Sequence, residues 1–167
     1  MNEKTDIIYG KNAVMEALIA GDREINKILI SKNIHSDNKL NKIKELAKEN
    51  GVVFQFVAKE KFIPYAEYNH QGIIAVAAVK EYVSVDDILK IAEDKGEKPF
   101  IIILDNIEDP HNLGAIIRTA ECAGAHGVII PKRRAAGLTY SVGKASAGAY
   151  EYMPIARVTN ISVVIDE

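Results

Sequence analysis

Apolar and polar residues alternate along this chain with two periods, and the changes of period mark its elements. Asn12 to Ala20 reads as a helix closed by Gly21, the glycine stop that helices favour. Ile25 to Ile30 is a β-branched strand, and Ser36 then opens a helix with apolar Leu40, Ile43, Leu46 and Ala47 that ends at Asn50-Gly51. Val52 to Val57 and Ile73 to Val79 read as two more strands, the second small and apolar enough to be buried. Ser84-Val85-Asp86-Asp87 supplies a cap and early acids for a further helix, which Gly96 ends. Phe100 to Leu104 is a strand, Pro110 to Ala123 a helix behind the cap Asp109, and Gly127 to Ile130 a strand stopped by Pro131. A Lys/Arg/Ala/Gly loop, a helix near Tyr140 to Ala147 and a strand near Pro154 to Val158 follow, and Asn160 caps a last short helix.

This order predicts an α/β protein in two parts. Residues 1–79 form a small α/β domain, 80–98 a linker with its own helix, and 99–167 a second domain built on a βαβ unit, whose strands are parallel. No apolar run approaches the roughly 18 residues of a membrane span, and the polar stretch Met1 to Asp6 lacks the layout of a signal peptide. The single cysteine, Cys122, reads as a buried structural thiol, which with the absence of a disulfide points to the cytoplasm.

The net charge of −2 does not announce a nucleic-acid binder, but its distribution does more. Between Arg118 and Arg157 lie six basic residues (Arg118, Lys132, Arg133, Arg134, Lys144, Arg157) against Glu121 and Glu151. Local positive charge of this kind suits a phosphate-bearing substrate, although a solvated basic loop would read the same way. His35, His70, His111 and His126 show no metal-ligand spacing, so no metal is expected.

Candidate chemistry concentrates after the strand at Phe100. A strand, a polar loop and a helix N-terminus in that order build sites at the carboxyl edge of parallel sheets. Taken singly, Asn112 reads as a cap and Arg118 as a surface partner of Glu121. Together, about 9 Å apart along the helix axis with Gly114 leaving a bare face between them, they suggest an oxyanion or phosphate site. The run Gly143 to Ala149 fits tight helix packing through small residues. No Gly-x-Gly-x-x-Gly follows the strand, which argues against a dinucleotide site.

Leu104 through Arg118 (Leu-Asp-Asn-Ile-Glu-Asp-Pro-His-Asn-Leu-Gly-Ala-Ile-Ile-Arg) closely resembles motif 1 of the SpoU (TrmH-like) RNA ribose 2′-O-methyltransferases of the SPOUT superfamily. Tyr9-Gly10-Lys11-Asn12-Ala13-Val14-Met15-Glu16-Ala17-Leu18 resembles the opening of that family's N-terminal RNA-binding domain, and His70-Gln71-Gly72-Ile73-Ile74-Ala75 the signature closing it. Gly143 through Asn160 gives a fourth match. The resemblance implies a small α/β RNA-binding domain, then the N-terminal part of a parallel-sheet, trefoil-knotted methyltransferase domain. It implies S-adenosylmethionine as cofactor, a homodimer, and transfer of methyl to a guanosine ribose of large-subunit rRNA. By the same resemblance Asn112 and Arg118 are catalytic, and Lys11, Asn12, Lys132, Arg133, Arg134, Lys144 and Ser146 contact RNA.

The family's Gly-Glu-Gly-like motif 2 and Ser-Leu-Asn-Val-like motif 3 do not occur before Glu167. Those segments make the knot and most of the methyl-donor pocket, so no donor-binding residue is assigned. The expectation is a chain matching the first two thirds of such an enzyme, inactive by itself and prone to pair through an unfinished sheet edge. The competing expectation is a structured-RNA-binding protein without catalysis.

Overall fold

Two sheets organise residues 5–167, which the computed structural model describes. The expectation for Met1 to Lys4 lies outside the described residues. The chain divides into a first unit ending at Lys80 and a second unit, Glu81–Glu167.

In the first unit β1 (Thr5–Tyr9), β2 (Ile25–Ser31), β3 (Phe54–Val57) and β4 (Ile73–Ala78) form one sheet in the order β1-β4-β2-β3. β4 runs antiparallel to both neighbours, and β2 pairs parallel with β3. Its alternation of small and branched apolar residues suits a central strand, and Ile73, Ile74, Ala75 and Ala77 are all buried. Helices α1 (Lys11–Ala20) and α2 (Asn38–Glu49) cover the sheet, joining Val14, Leu18, Leu40 and Ile43 to its core. Gly21 closes α1 in the left-handed conformation, φ 71°, as its position implied. The cap of α2 is Asp37 instead of Ser36: its side chain accepts from the Leu40 N–H. A 3₁₀ helix, Lys59–Tyr65, links β3 to β4 and buries Phe62.

The second unit holds three parallel strands, β5 (Ile101–Ile103), β6 (Gly127–Pro131) and β7 (Ile155–Val158), in that order. Successive strand residues face opposite sides, and the packing follows. Val128 and Ile130 meet Leu113 and Ile117 of α4 (Pro110–Cys122), while Ile129 meets Ile88 of α3 (Val85–Asp94). The segment expected as a linker is therefore part of the second unit's fold, opened by a complete Ser84–Asp87 capping box. The helix expected over Tyr140 to Ala147 is α5 (Tyr140–Ala145), and after positive φ at Ala147 and Gly148 a further helix that was not expected, α6 (Ala149–Tyr152), follows. Asn160 caps α7 (Ile161–Asp166).

His126, 3% exposed, fastens the lead into β5: its Nδ1 accepts from the Phe100 N–H at 3.0 Å and its Nε2 lies 3.0 Å from Glu97. Cys122, expected to be buried, is exposed, because two residues of helix set it about 200° around the axis from the buried Ala120. Among the described residues no helix is long and apolar enough to cross a membrane.

Candidate functional site

The carboxyl ends of β5, β6 and β7 lead into three short connections that are bonded to one another. The Leu104 N–H donates to Ile129 O, the Ala136 N–H to Ile107 O at 2.8 Å, and the Lys132 N–H to Val158 O at 2.8 Å. Loop 104–109 and loop 132–139 thus form one edge beside the start of α4. Arg157 braces it: the guanidinium donates to Lys132 O at 2.8 Å and lies 5.4 Å from the centre of the Tyr82 ring, whose hydroxyl accepts from the Leu138 N–H. The side chains of Lys132, Arg133 and Arg134 are exposed there, with no hydrogen-bond or ion-pair partner among the described residues. Three adjacent cations on this tethered loop make a local positive patch, beside the exposed Asp105, Glu108 and Asp109 of loop 104–109.

On α4 the capping role belongs to Asp109, which accepts from the His111 N–H at 2.9 Å. Asn112 is exposed with its amide unused, so it is not the cap. Arg118 is exposed as well, and it forms no ion pair with Glu121. Six residues of helix set the two side chains about 120° apart around the axis and about 9 Å along it, so they do not share one face. Helical side chains lean toward the N-terminus, which brings the long Arg118 side chain back toward Asn112.

The bare face expected at Gly114 is not there. Gly114 is buried against α5, where an added Cβ would lie 2.5 Å from Ala145 Cβ and 2.7 Å from Val142 O. The glycine lets two helices approach, and no substrate can reach it. Ser146 is likewise removed from any RNA surface: it is fully buried, donates to Gly143 O at 2.8 Å and accepts from the Tyr150 N–H at 3.1 Å. Of the Gly143 to Ala149 run, Lys144 alone keeps an exposed cation.

The first unit carries a second site. Pairing of β1 with β4 sets Tyr9 opposite Ile74, so the sequence stretches around Gly10 and Gly72 meet although 60 residues separate Lys11 from Gln71. They line a cavity of about 720 Å³ together with α2 and the 3₁₀ helix, and Lys11, Asn12, Lys39, Lys59 and His70 stand on its wall. Lys11 is not a free phosphate ligand. Its ammonium lies 2.6 Å from Asp37 and 3.3 Å from His35 O, and this hydrogen bond, with the Leu40 N–H, holds the Asp37 carboxyl below the ordinary carboxylate range. Lys39 donates to the Asn12 amide oxygen, a neutral partner that leaves its charge uncompensated. Lys39 and Lys59 escaped sequence reasoning because they lie on elements that only the sheet topology brings to Asn12.

The described surfaces are thus a cavity with lysines on its wall in the first α/β unit and a basic loop, 132–139, in the parallel-stranded second unit. The SpoU rRNA Methylase family profile matches residues 99–167, and the RNA 2′-O ribose methyltransferase substrate binding profile matches residues 7–83. A Bacillus subtilis (strain 168) protein named for the TrmH family of tRNA/rRNA methyltransferases, YacO, is 47% identical over all 167 residues, which make up 66% of its length. A TrmH-family protein of Staphylococcus aureus (strain MSSA476) is 47% identical over 161 residues, 96% of this chain and 64% of its own. The SpoU methyltransferase AviRb of Streptomyces viridochromogenes, solved with AdoMet, shares the fold with a TM-score of 0.74 at 20% identity, over 98% of this chain and 58% of its own. An AdoMet-bound rRNA methyltransferase of Sinorhizobium meliloti gives 0.71 at 24% identity, over 98% and 57%. The chain belongs to the SpoU (TrmH-like) family of RNA methyltransferases. It spans about two thirds of the length of the curated relatives it matches.

Proposed function

We propose that this protein methylates RNA, transferring a methyl group from S-adenosylmethionine to the ribose 2′-hydroxyl of a guanosine in large-subunit rRNA. The observation that carries this reading is Arg118 on α4, exposed and unpaired behind the loop edge, at the position motif 1 assigns to catalysis. A guanidinium stays protonated at any working pH, so Arg118 does not act as a base. It stabilises the negative charge that develops on the hydroxyl oxygen and holds the hydroxyl or a neighbouring phosphate in place. Asn112 supplies an amide to the same ribose. Lys132, Arg133, Arg134 and Lys144 bind the RNA backbone, with Asn12 and the first-unit cavity gripping the substrate elsewhere.

S-adenosylmethionine supplies the methyl group. The cations of loop 132–139 suit phosphate, while loop 104–109 carries the exposed carboxylates Asp105, Glu108 and Asp109, and no residue of either loop is assigned to the donor. A homodimer in the cytoplasm completes the proposal, as the family resemblance implies.

Fusing the chain to the part of the Bacillus subtilis relative beyond the matched region gives a full-length enzyme to assay. Tritium transfer from labelled S-adenosylmethionine to rRNA is expected with Arg118 and lost in Arg118→Ala, while RNA affinity stays within about twofold. Absence of transfer to any RNA, or equal loss of transfer and affinity in the variant, would overturn this assignment.

A further inference from the structure

The cavity around Asn12 does not end at its own wall. A second cavity of about 230 Å³ shares Lys59, Phe62 and His70 with it and is completed by Glu60, Ile63 and Ala66, with the Glu60 carboxylate beside Lys59 in sequence. The two differ in chemistry. The larger is walled by amides and lysines, and two of its ammonium groups, Lys39 and Lys59, have no carboxylate partner among the described residues. The smaller is a slot between the buried Phe62 and the outward Ile63, which is 67% exposed. The His70 ring lies 4.8 Å from the Phe62 ring, tilted by 32°, and is fixed by the Gly72 N–H donating to its Nδ1.

A largely apolar hollow next to two lysines that form no ion pair among the described residues, with Glu60 as its single carboxylate, matches the two halves of a nucleotide. A base inside a duplex presents only its edges, and an A-form helix is recognised by its grooves and backbone, so a paired base cannot enter such a slot. We propose that these adjoining cavities take one unstacked nucleotide of the RNA, its base against Ile63, Ala66 and the half-buried His70 ring above Phe62, its sugar and phosphate among Asn12, Lys39 and Lys59. This rests on RNA being the substrate, and it makes the first unit a reader of single-stranded loops or bulges.

The test uses the 167-residue chain and two probes, an RNA hairpin with one unpaired loop base and the same stem closed into a continuous duplex. The hairpin is expected to bind at least about fivefold tighter, since stacking one base on a protein surface contributes roughly 1–3 kcal/mol. Lys59→Ala and Lys39→Ala should each lower the slope of log affinity against log salt by about 0.7, the value for one single-strand phosphate. Ile63→Asp places a carboxylate on an exposed position at the slot and should erase the preference for the hairpin, whereas Lys48→Ala, on the exposed end of α2, should change nothing. Equal affinity for hairpin and duplex, or Lys59→Ala and Ile63→Asp behaving like Lys48→Ala, would overturn the nucleotide pocket while leaving RNA binding intact. Failure of the chain to bind either probe would overturn both this inference and the RNA-directed reading beneath it.

Discussion

Gly114 shows how one residue carries a different meaning in sequence and in space. Inside a helix, glycine costs about 1 kcal/mol relative to alanine, so Gly114→Ala would stabilise an exposed position. Here the new methyl would meet Ala145 Cβ at 2.5 Å, Val142 O at 2.7 Å and Ser146 N at 3.0 Å. Two of the three are backbone atoms that cannot rotate away, and overpacking typically costs about 1–3 kcal/mol. Gly114→Ala should therefore lower the melting temperature of the second unit, read by differential scanning calorimetry; a rise would show that α4 and α5 are not in close contact. Asp37 gives a pH signature. Its folded pKa is depressed, first by the Lys11 hydrogen bond and then by the Leu40 N–H. Its contribution is therefore complete above the ordinary carboxylate range and is lost as pH falls through the lowered folded value. Asp37→Asn should flatten the acid limb of the stability profile below about pH 4, and an acid limb unchanged by the substitution would contradict the pairing.

At the scale of elements, those marked by caps and long periodic stripes were legible, and those defined by partners were not. Asp109-Pro110 opens α4 and Ser84 to Asp87 opens α3 as the sequence implied, because both signals are local hydrogen bonds within one turn. β1 was not legible: Ile7, Ile8 and Tyr9 are a short run whose strand character comes from pairing with β4. The break between α5 and α6 was hidden for a related reason, since Ala147 takes φ 52° without being glycine or asparagine. Ser36 and Asp37 are both competent caps, and the Lys11 contact available to Asp37 distinguishes them. Arg23 expresses the same dependence on partners. It is 6% exposed, donates to Asp6 at 2.8 Å and to Ala78 O at 3.0 and 2.7 Å, and so ties the start of β1 to the end of β4. Arg23→Ala leaves that carbonyl and carboxylate without their donor and should cost about 1–3 kcal/mol, measured as a lowered urea midpoint. An unchanged midpoint would show that water replaces the guanidinium at no loss.

At the scale of the whole molecule, motif 1 was legible as a strand, a loop and a capped helix, but its internal arrangement was not. Asn112 and Arg118 stayed exposed as expected. Gly114 and Ser146 went into helix packing because spacing alone cannot say which face a neighbouring helix covers. Loop 132–139 gains its place from long-range bonds, Ala136 N–H to Ile107 O together with those to Val158, Arg157 and Tyr82, which no local pattern announces. The first-unit cavity is assembled from four elements, so its lysines became visible only with the topology. Because the chain covers 66% of the Bacillus subtilis relative, the 167-residue polypeptide is expected to bind S-adenosylmethionine at least about tenfold more weakly than that full-length protein. Calorimetric titration of both would show it, and equal affinities would contradict it. The measurement closest to the central proposal is the chemical position of the transferred methyl. rRNA labelled by the completed enzyme is digested to nucleosides and analysed by mass spectrometry. The result expected is 2′-O-methylguanosine, absent with Arg118→Ala; a methyl group found on a base and never on a ribose would contradict the assignment.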